Sequence, residues 1–260
     1  MIKAIFFDLD GTLVSGTVGT YSPAVKAAFD ALREKGILLF AATGRSTYEL
    51  KITGMVDGLH FDGIVALNGQ YCYNDKEVFY SHLFDKDDLA RLIARSAEVP
   101  FPCMLVEKEE MYINYIDDHV RYALHCIHTP PPPVRDLRDS LHKDVLMAMA
   151  YLPTEETQEK VLSVLQNSAA TRWNKYGIDI LPLGCSKRTG IEKVLERYGI
   201  RWDEVMAFGD GENDLPMLRA AKIGVAMGNS PEFMLGGEFY VTDTVENDGA
   251  VSALKHFGLL

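Results

Sequence analysis

Four short clusters in this 260-residue chain carry groups that can do chemistry. The first is Asp8-Leu9-Asp10-Gly11-Thr12, which ends the apolar run near the start of the chain. The others are Thr43-Gly44-Arg45, Lys187, and Gly209-Asp210-Gly211-Glu212-Asn213-Asp214. If they converge, Asp8, Asp10, Asp210 and Asp214 bring four carboxylates to one place. Left alone, such groups repel or take up protons. A divalent cation removes the conflict, and all-oxygen ligands with no paired Cys or His nearby favour Mg²⁺ over zinc. Mg²⁺ binds phosphate oxygens well, and the remaining residues suit such a group. Thr43 offers a hydroxyl and backbone N–H groups at a helix start. Lys187 offers a charge at another helix start, where the dipole favours anions. The expectation is a phosphate held between a metal and a small cradle of donors.

A carboxylate aligned with a metal-bound phosphorus can attack it and form an aspartyl phosphate. A second carboxyl group can protonate the leaving oxygen and then activate water. Asp8 and Asp10 are two residues apart in an extended segment, so they point to the same side. Their environments must differ for one to be charged while the other holds a proton. Gly11 permits the sharp exit that frees both side chains.

These groups need a scaffold. Ile2–Asp8 is rich in β-branched and aromatic residues and apolar on both faces, as in strands inside parallel sheets. A helix follows, with Ser22 as N-cap, Pro23 at its first position and Gly36 as its stop. Ile37–Ala42 is a second buried strand, and "GIVALNG" a third that ends near Asn68. This β-α-β-α-β rhythm predicts an α/β fold, a doubly wound parallel sheet with helices on both faces. "QYCYNDKEVFYSH" then predicts a hairpin with its turn near Asn74-Asp75. Helices are expected over Asp85–Ala97, Asp117–Cys126 and Thr154–Gln166, and strands over Cys103–Val106, Val145–Tyr151 and Thr171–Trp173. "HTPPPPVRD" must be an extended surface loop, because prolines permit neither helix nor central strand. From Ser186 the βα rhythm returns. Residues 1–82 and 183–260 therefore form the core, split by an α+β insert over 83–182, about one hundred residues and the size of a small domain. Ligands in such sheets bind outside the carboxyl ends of the strands, where all four clusters lie.

The composition sets bounds. Apolar residues make up 47% and charged residues 24%, which suits an ordered soluble domain. The net charge of −11 argues against a nucleic-acid backbone or an anionic membrane as partner, though a local cation can still recruit a small anion. The longest apolar run, Val145–Leu152, is too short to span a bilayer, and Asp8 interrupts any signal-peptide core. Cys72, Cys103, Cys126 and Cys185 form no CxxC pair and read as reduced thiols of a cytoplasmic protein. Nothing implies a protein partner.

With "DLDGT", "TGR", the lysine of "SKRTGI" and "GDGENDLPML" in this order, the chain resembles the Cof-type phosphatases of the haloacid dehalogenase (HAD) superfamily. "VALNGQ" and "IGVAMGNS" also look like that family. The resemblance covers both core segments closely and the insert only in size and element pattern. It implies a Rossmann-like core with a large (type C2/IIB) cap that closes over the core cleft, excludes bulk water and chooses the leaving group. It implies Mg²⁺-dependent hydrolysis of a small phosphorylated metabolite, with sugar phosphates first. Asp8 would be the nucleophile and a metal ligand. Asp10 would be the general acid/base, with its backbone carbonyl on the metal. Asp210 would complete the protein ligands and Asp214 would support the metal site. Thr43, Gly44, Lys187, Asn213 and the backbone of Leu9 would hold the phosphate, and Arg45 and Asn68 would border the substrate. The one departure is Arg188-Thr189 after Lys187, where relatives often have Gly.

Blander readings compete. Asp10-Gly11 alone is an ordinary turn, Lys187 alone a solvated lysine, Asp214 alone a helix-start carboxylate, and Glu212 a solvent-facing one. Coincidence of all the clusters weakens these readings together. His119, His125, Cys126 and His128 suggest a metal, but no second ligand pair lies nearby, so packing or a surface helix is the expectation. Trp173 and Tyr176 fit a packed interior better than a sugar pocket. Two other functions share the motifs: a phosphotransferase or phosphomutase working through the same aspartyl phosphate, and a non-catalytic phosphometabolite-binding module.

Overall fold

The computed structural model describes residues 1–260. In chain order the elements are β1 (Ala4–Phe7), α1 (Pro23–Glu34), β2 (Leu38–Ala42), α2 (Thr47–Thr53), β3 (Gly63–Ala66), β4 (Tyr71–Tyr73), β5 (Val78–Ser81), α3 (Lys86–Glu98), β6 (Cys103–Val106), β7 (Met111–Ile113), α4 (Asp118–Cys126), β8 (Met147–Tyr151), α5 (Glu155–Leu162), β9 (Ser168–Arg172), β10 (Gly177–Pro182), α6 (Lys187–Tyr198), β11 (Val205–Gly209), α7 (Leu215–Ala220), β12 (Ile223–Ala226), β13 (Tyr240–Val241) and α8 (Gly249–His256). The chain divides into two compact units. One comprises residues 1–45, 54–81 and 186–260, the other residues 46–53 and 82–185.

The first unit is built on an eight-stranded sheet in the order β13-β12-β11-β1-β2-β3-β4-β5. All pairings from β13 to β3 are parallel, and the β4–β5 hairpin adds an antiparallel edge. Every residue of β1 is buried, because its alternate side chains feed two separate cores. Phe6 stacks on Phe40 at 4.7 Å, in a layer shared with Ile191, Val194 and Leu195 of α6 and Met217 and Leu218 of α7. Phe7 faces the other way, 5.2 Å from Phe29 of α1 and 4.9 Å from Phe208 of β11. Each such ring contributes about 1.5–3 kcal/mol by leaving water. The ladder reaches the backbone of Asp8, whose N–H donates to the Phe208 carbonyl at 3.0 Å. The strand itself ends one residue short of the expected Asp8. α1 starts and stops on the expected signals: the Ser22 hydroxyl accepts from the Val25 N–H, and Gly36 takes a φ of 74°. The hairpin turns at Asn74, whose side-chain oxygen accepts from the N–H groups of Lys76 and Glu77.

The second unit holds an antiparallel five-stranded sheet, β7-β6-β8-β10-β9. Leu89 and Leu92 of α3 and Val161 of α5 pack with Leu105, Ala148, Ile178 and Ile180 of the strands. The helix expected over Thr154–Gln166 stops at Leu162. Buried Asp88 accepts hydrogen bonds from the N–H groups of Gln166 and Asn167 and from the Ser168 hydroxyl, so these residues leave the helix and start β9. For the same reason the strand expected over Thr171–Trp173 begins earlier, at Ser168, and ends at Arg172. β7 and β10 carried no strand expectation. The proline segment is extended, as its composition requires. Its end runs along the outer edge of β7, with Pro133 accepting from the Ile113 N–H and Arg135 donating to the Ile113 carbonyl. Prolines there offer no N–H to a further strand, which blunts an exposed edge. All four cysteines are free, and no helix is long and apolar enough to cross a membrane.

Candidate active site

The parallel strands of the first unit deliver the candidate residues at their carboxyl ends. Asp8 follows β1, Thr43 follows β2, Asn68 lies just beyond β3, and Asp210 follows β11. Strand register places the turn after Phe7 beside those after Ala41 and Phe208. The main chain then ties the loops together. Thr43 donates its N–H to the Val65 carbonyl, and Asn68 donates its own to the Thr43 carbonyl. Thr43 is buried, and its hydroxyl oxygen accepts from the Arg45 N–H.

Lys187 lies at the centre of the arrangement. It is the first residue of α6, and a reciprocal cap fixes that end: Ser186 Oγ accepts from the Thr189 N–H, and Thr189 Oγ1 accepts from the Ser186 N–H. Thr189, the departure from the family pattern, thus has a local role. The helix approaches β3 closely, since a Cβ on Gly190 would lie 2.5 Å from the Gly69 Cα and 2.7 Å from a Val65 methyl. From this start the Lys187 side chain runs fully buried to Asp8 Oδ1 at 2.5 Å and Asp214 Oδ1 at 2.6 Å. Burial alone would depress its ammonium, but the charges of Asp214 and Asp8 outweigh that and hold it above its ordinary value.

Asp8, Asp210 and Asp214 can each turn one carboxylate oxygen into a group in which all three lie within 4.8 Å of one another. Burial, together with the charges of Asp214 and Asp210, raises the Asp8 carboxyl well above its usual range despite Lys187. Burial and the Asp214 charge push Asp210 up to about 7. One ammonium does not neutralise three carboxylates, two of them buried and Asp210 half-buried, so the donor set fits a further cation. Asp214 is the most engaged: Oδ1 accepts from Lys187, and Oδ2 accepts from the N–H groups of Asp210 and Gly211. It shapes the loop that carries Asp210. Glu212, between them, is exposed, as expected of a solvent-facing residue.

Asp10 is not one of these three, though its charge acts on Asp210. Its carboxylate is held by Arg45 through two parallel bonds, Nε to Oδ2 and Nη2 to Oδ1, both 2.7 Å. Three of the four carboxylates form the tight group, and the fourth is clamped by a buried guanidinium. That gives the two aspartates of "DLDGT" different surroundings: Asp8 faces an ammonium and two carboxylates, Asp10 an arginine fork. Asn68 is buried and takes a φ of 51°, in a run of positive φ with Leu67 and Gly69. Its Oδ1 accepts from Asn213 Nδ2 at 3.0 Å, so two residues distant in sequence hold each other. Gly11, at φ 75°, has no room for a side chain, because a Cβ would lie 2.2 Å from Asp210 Oδ2.

Asn229 carried no sequence expectation of its own. It follows β12, and its amide donates to the Gly11 carbonyl at 2.9 Å and to Asp210 Oδ2 at 3.1 Å. The only signal was its place in "MGNS" at a strand end. His119, His125, Cys126 and His128 do not come together as a metal group. His119 packs edge-on to Tyr176 at 4.6 Å, and Trp173 lies edge-on to Tyr151 at 6.3 Å. Trp173 and Tyr176 are half-buried in the second unit and lie outside its core cluster, so the packed interior expected of them is met only in part.

The family model for haloacid dehalogenase-like hydrolases matches residues 5–254. The chain belongs to this family. It is 32% identical to the Bacillus subtilis (strain 168) protein YkrA, over 99% of this chain and 98% of that one. It is 29% identical to 5-amino-6-(5-phospho-D-ribitylamino)uracil phosphatase YitU of the same organism, over 97% and 96%. The solved structure of the HAD subclass IIB sugar phosphatase BT4131 superposes with a TM-score of 0.88 at 32% identity, covering 99% of this chain and 100% of that one. The chain is a Cof-type HAD phosphatase with a Rossmann-like core, a phosphoric monoester hydrolase. Members of the family generally use a divalent metal, and the aspartate group is the place that fits one.

Proposed function

We propose that this HAD phosphatase hydrolyses small phosphomonoesters, sugar phosphates first among them, in a Mg²⁺-dependent reaction through an aspartyl phosphate on Asp8. The observation that carries the reading is Asp8 Oδ1 bonded to buried Lys187, with Asp210 and Asp214 completing one carboxylate group. Asp8, Asp210 and the Asp10 backbone carbonyl would hold the metal, which Asp214 supports through its hold on the loop. When bound, Mg²⁺ would supply positive charge against the phosphate oxygens and keep the carboxylates ionised.

The rest follows from the chain. Lys187 fixes the attacking carboxylate and offers its remaining N–H to a phosphate oxygen, worth far more in a buried site than in water. Thr43, Gly44, the Leu9 backbone and Asn213 complete the cradle, with Asn68 orienting Asn213. Asp8 Oδ attacks phosphorus and the ester oxygen leaves with the proton that Asp10 delivers. Asp10 then takes a proton from water as the water attacks the phosphorus of the aspartyl phosphate, releasing inorganic phosphate and free Asp8. Arg45 orients Asp10 for both transfers. The sugar-phosphate preference is supported by the sugar phosphatase among the structural relatives. The cysteine usage and lack of a membrane-spanning helix support a cytoplasmic location. The test is phosphate release across sugar phosphates, nucleotides and other small phosphomonoesters, with Asp8→Asn and EDTA as controls. Turnover that both controls abolish, strongest on sugar phosphates, is the expected result. Turnover that survives Asp8→Asn overturns the covalent route.

A further inference from the structure

We infer that Asn229 is a positioning residue that sets the Asp210 carboxylate for the cation. The inference rests on the cation reading above and extends it to a residue outside the aspartate cluster. Asn229 joins three separate segments through one amide. Nδ2 donates to the Gly11 carbonyl at 2.9 Å and to Asp210 Oδ2 at 3.1 Å, while Oδ1 accepts from the Val245 N–H at 2.9 Å. The amide orientation follows from these partners: two acceptors on one side and a backbone donor on the other leave only one way to place its oxygen and nitrogen.

The turn that holds Asn229 is itself anchored. Glu246 accepts from Ser15 and Thr17, and Asp248 accepts from Ser22, so residues 245–248 are tied to the loop after Asp10. Asp210 has little freedom beside this. Its Oδ2 lies against Gly11, where a Cβ would come within 2.2 Å, and that same oxygen takes the Asn229 N–H. With Oδ2 bonded to Asn229, the other oxygen, Oδ1, is assigned to the cation shared with Asp8 and Asp214. Groups that orient a metal-bound carboxylate are typically worth about 10–100-fold in metal affinity.

Two variants test this. Asn229→Ala removes the amide. Val245→Pro keeps the amide and deletes only the N–H that orients it. Val245 is the first residue of a short helical turn after the extended Thr244, a position that accepts proline. Mn²⁺ binding to substrate-free protein, followed by the loss of the free-ion electron paramagnetic resonance signal, reports the site without turnover. The expected result is roughly 10–100-fold weaker Mn²⁺ binding in Asn229→Ala and a smaller loss in Val245→Pro. Both should keep wild-type melting temperatures in EDTA, and kcat should recover to within about threefold at saturating Mg²⁺, as for a lost ligand-orienting bond rather than a lost reacting group. Wild-type protein that binds Mn²⁺ while both variants bind within twofold of it overturns the inference alone. Wild-type protein that binds none overturns the cation reading and the inference with it.

Discussion

Replacing Lys187 with Met removes the one ammonium among the clustered carboxylates and keeps most of the side chain's volume. The lysine is fully buried, and its two partners are 9% and 1% exposed. Water therefore cannot take over its role. Breaking a buried ion pair by deleting one partner costs about 3–5 kcal/mol, and the similar volume adds little packing cost. A domain of mid-range stability, about 10 kcal/mol, survives that loss in folded form. The loss must depend on pH. Asp8 is already raised above its unfolded value and Asp210 stands at about 7, and removing Lys187 raises both further. A carboxyl whose folded pKa is raised contributes stability below its unfolded pKa and loses it as pH rises through the folded value. The deficit of Lys187→Met is thus small near pH 4 and grows through pH 7. If the variant retains one more proton than wild type from pH 5 to 7, the deficit grows by about 2.7 kcal/mol over that interval. Urea unfolding of both proteins in EDTA at pH 5, 6, 7 and 8 measures it. A deficit independent of pH, or below about 1 kcal/mol at pH 8, would refute the reasoning.

Three further outcomes are expected. Asp88→Asn should destabilise the protein by roughly 2–4 kcal/mol, since an amide NH₂ would confront N–H and O–H donors that now meet an oxygen. Burial would raise Asp88, but its bonds from Gln166, Ser168, Asn167 and Arg91 together hold it below the usual range. Its contribution is therefore present above the unfolded pKa and lost as pH falls through the folded one, so urea midpoints of wild type and variant should converge in acid. Gly190→Ala should shift α6 and its lysine, costing about 1–3 kcal/mol and lowering kcat more than it raises KM; unchanged kinetics would contradict the close approach to Gly69. Arg45→Lys replaces a two-point clamp on Asp10 with a single donor and should lower kcat about tenfold or more, a loss of about 1.4 kcal/mol, with little change in melting temperature.

The parts of the fold that the sequence made legible are those set by local patterns. β1 reads as a buried parallel strand because alternate residues serve two cores, and α1 carries its own cap and stop. The candidate site was legible because most of its residues sit in contiguous motifs at strand ends. What escaped depends on distant partners. α5 ends early because Asp88, from another helix, takes the N–H groups of Gln166 and Asn167. β10 places Asp179 and Pro182 in a buried strand, against the usual strand composition. The turning of Asp10 toward Arg45 and the grip of Asn229 on Asp210 are settled by geometry across the sheet end, which no spacing along the chain encodes.

The central claim is that Asp8 becomes phosphorylated and that Asp10 moves the protons. The most direct measurement mixes Asp10→Asn protein with excess p-nitrophenyl phosphate and Mg²⁺, and follows p-nitrophenolate in a stopped flow. That leaving group needs no proton, whereas hydrolysis of the aspartyl phosphate needs the missing base. The account predicts a burst of one p-nitrophenolate per enzyme molecule, then a slow steady state. Borohydride reduction of the quenched protein should convert residue 8 to homoserine. Steady release without a burst, or protein-bound phosphate at a residue other than Asp8, would contradict it.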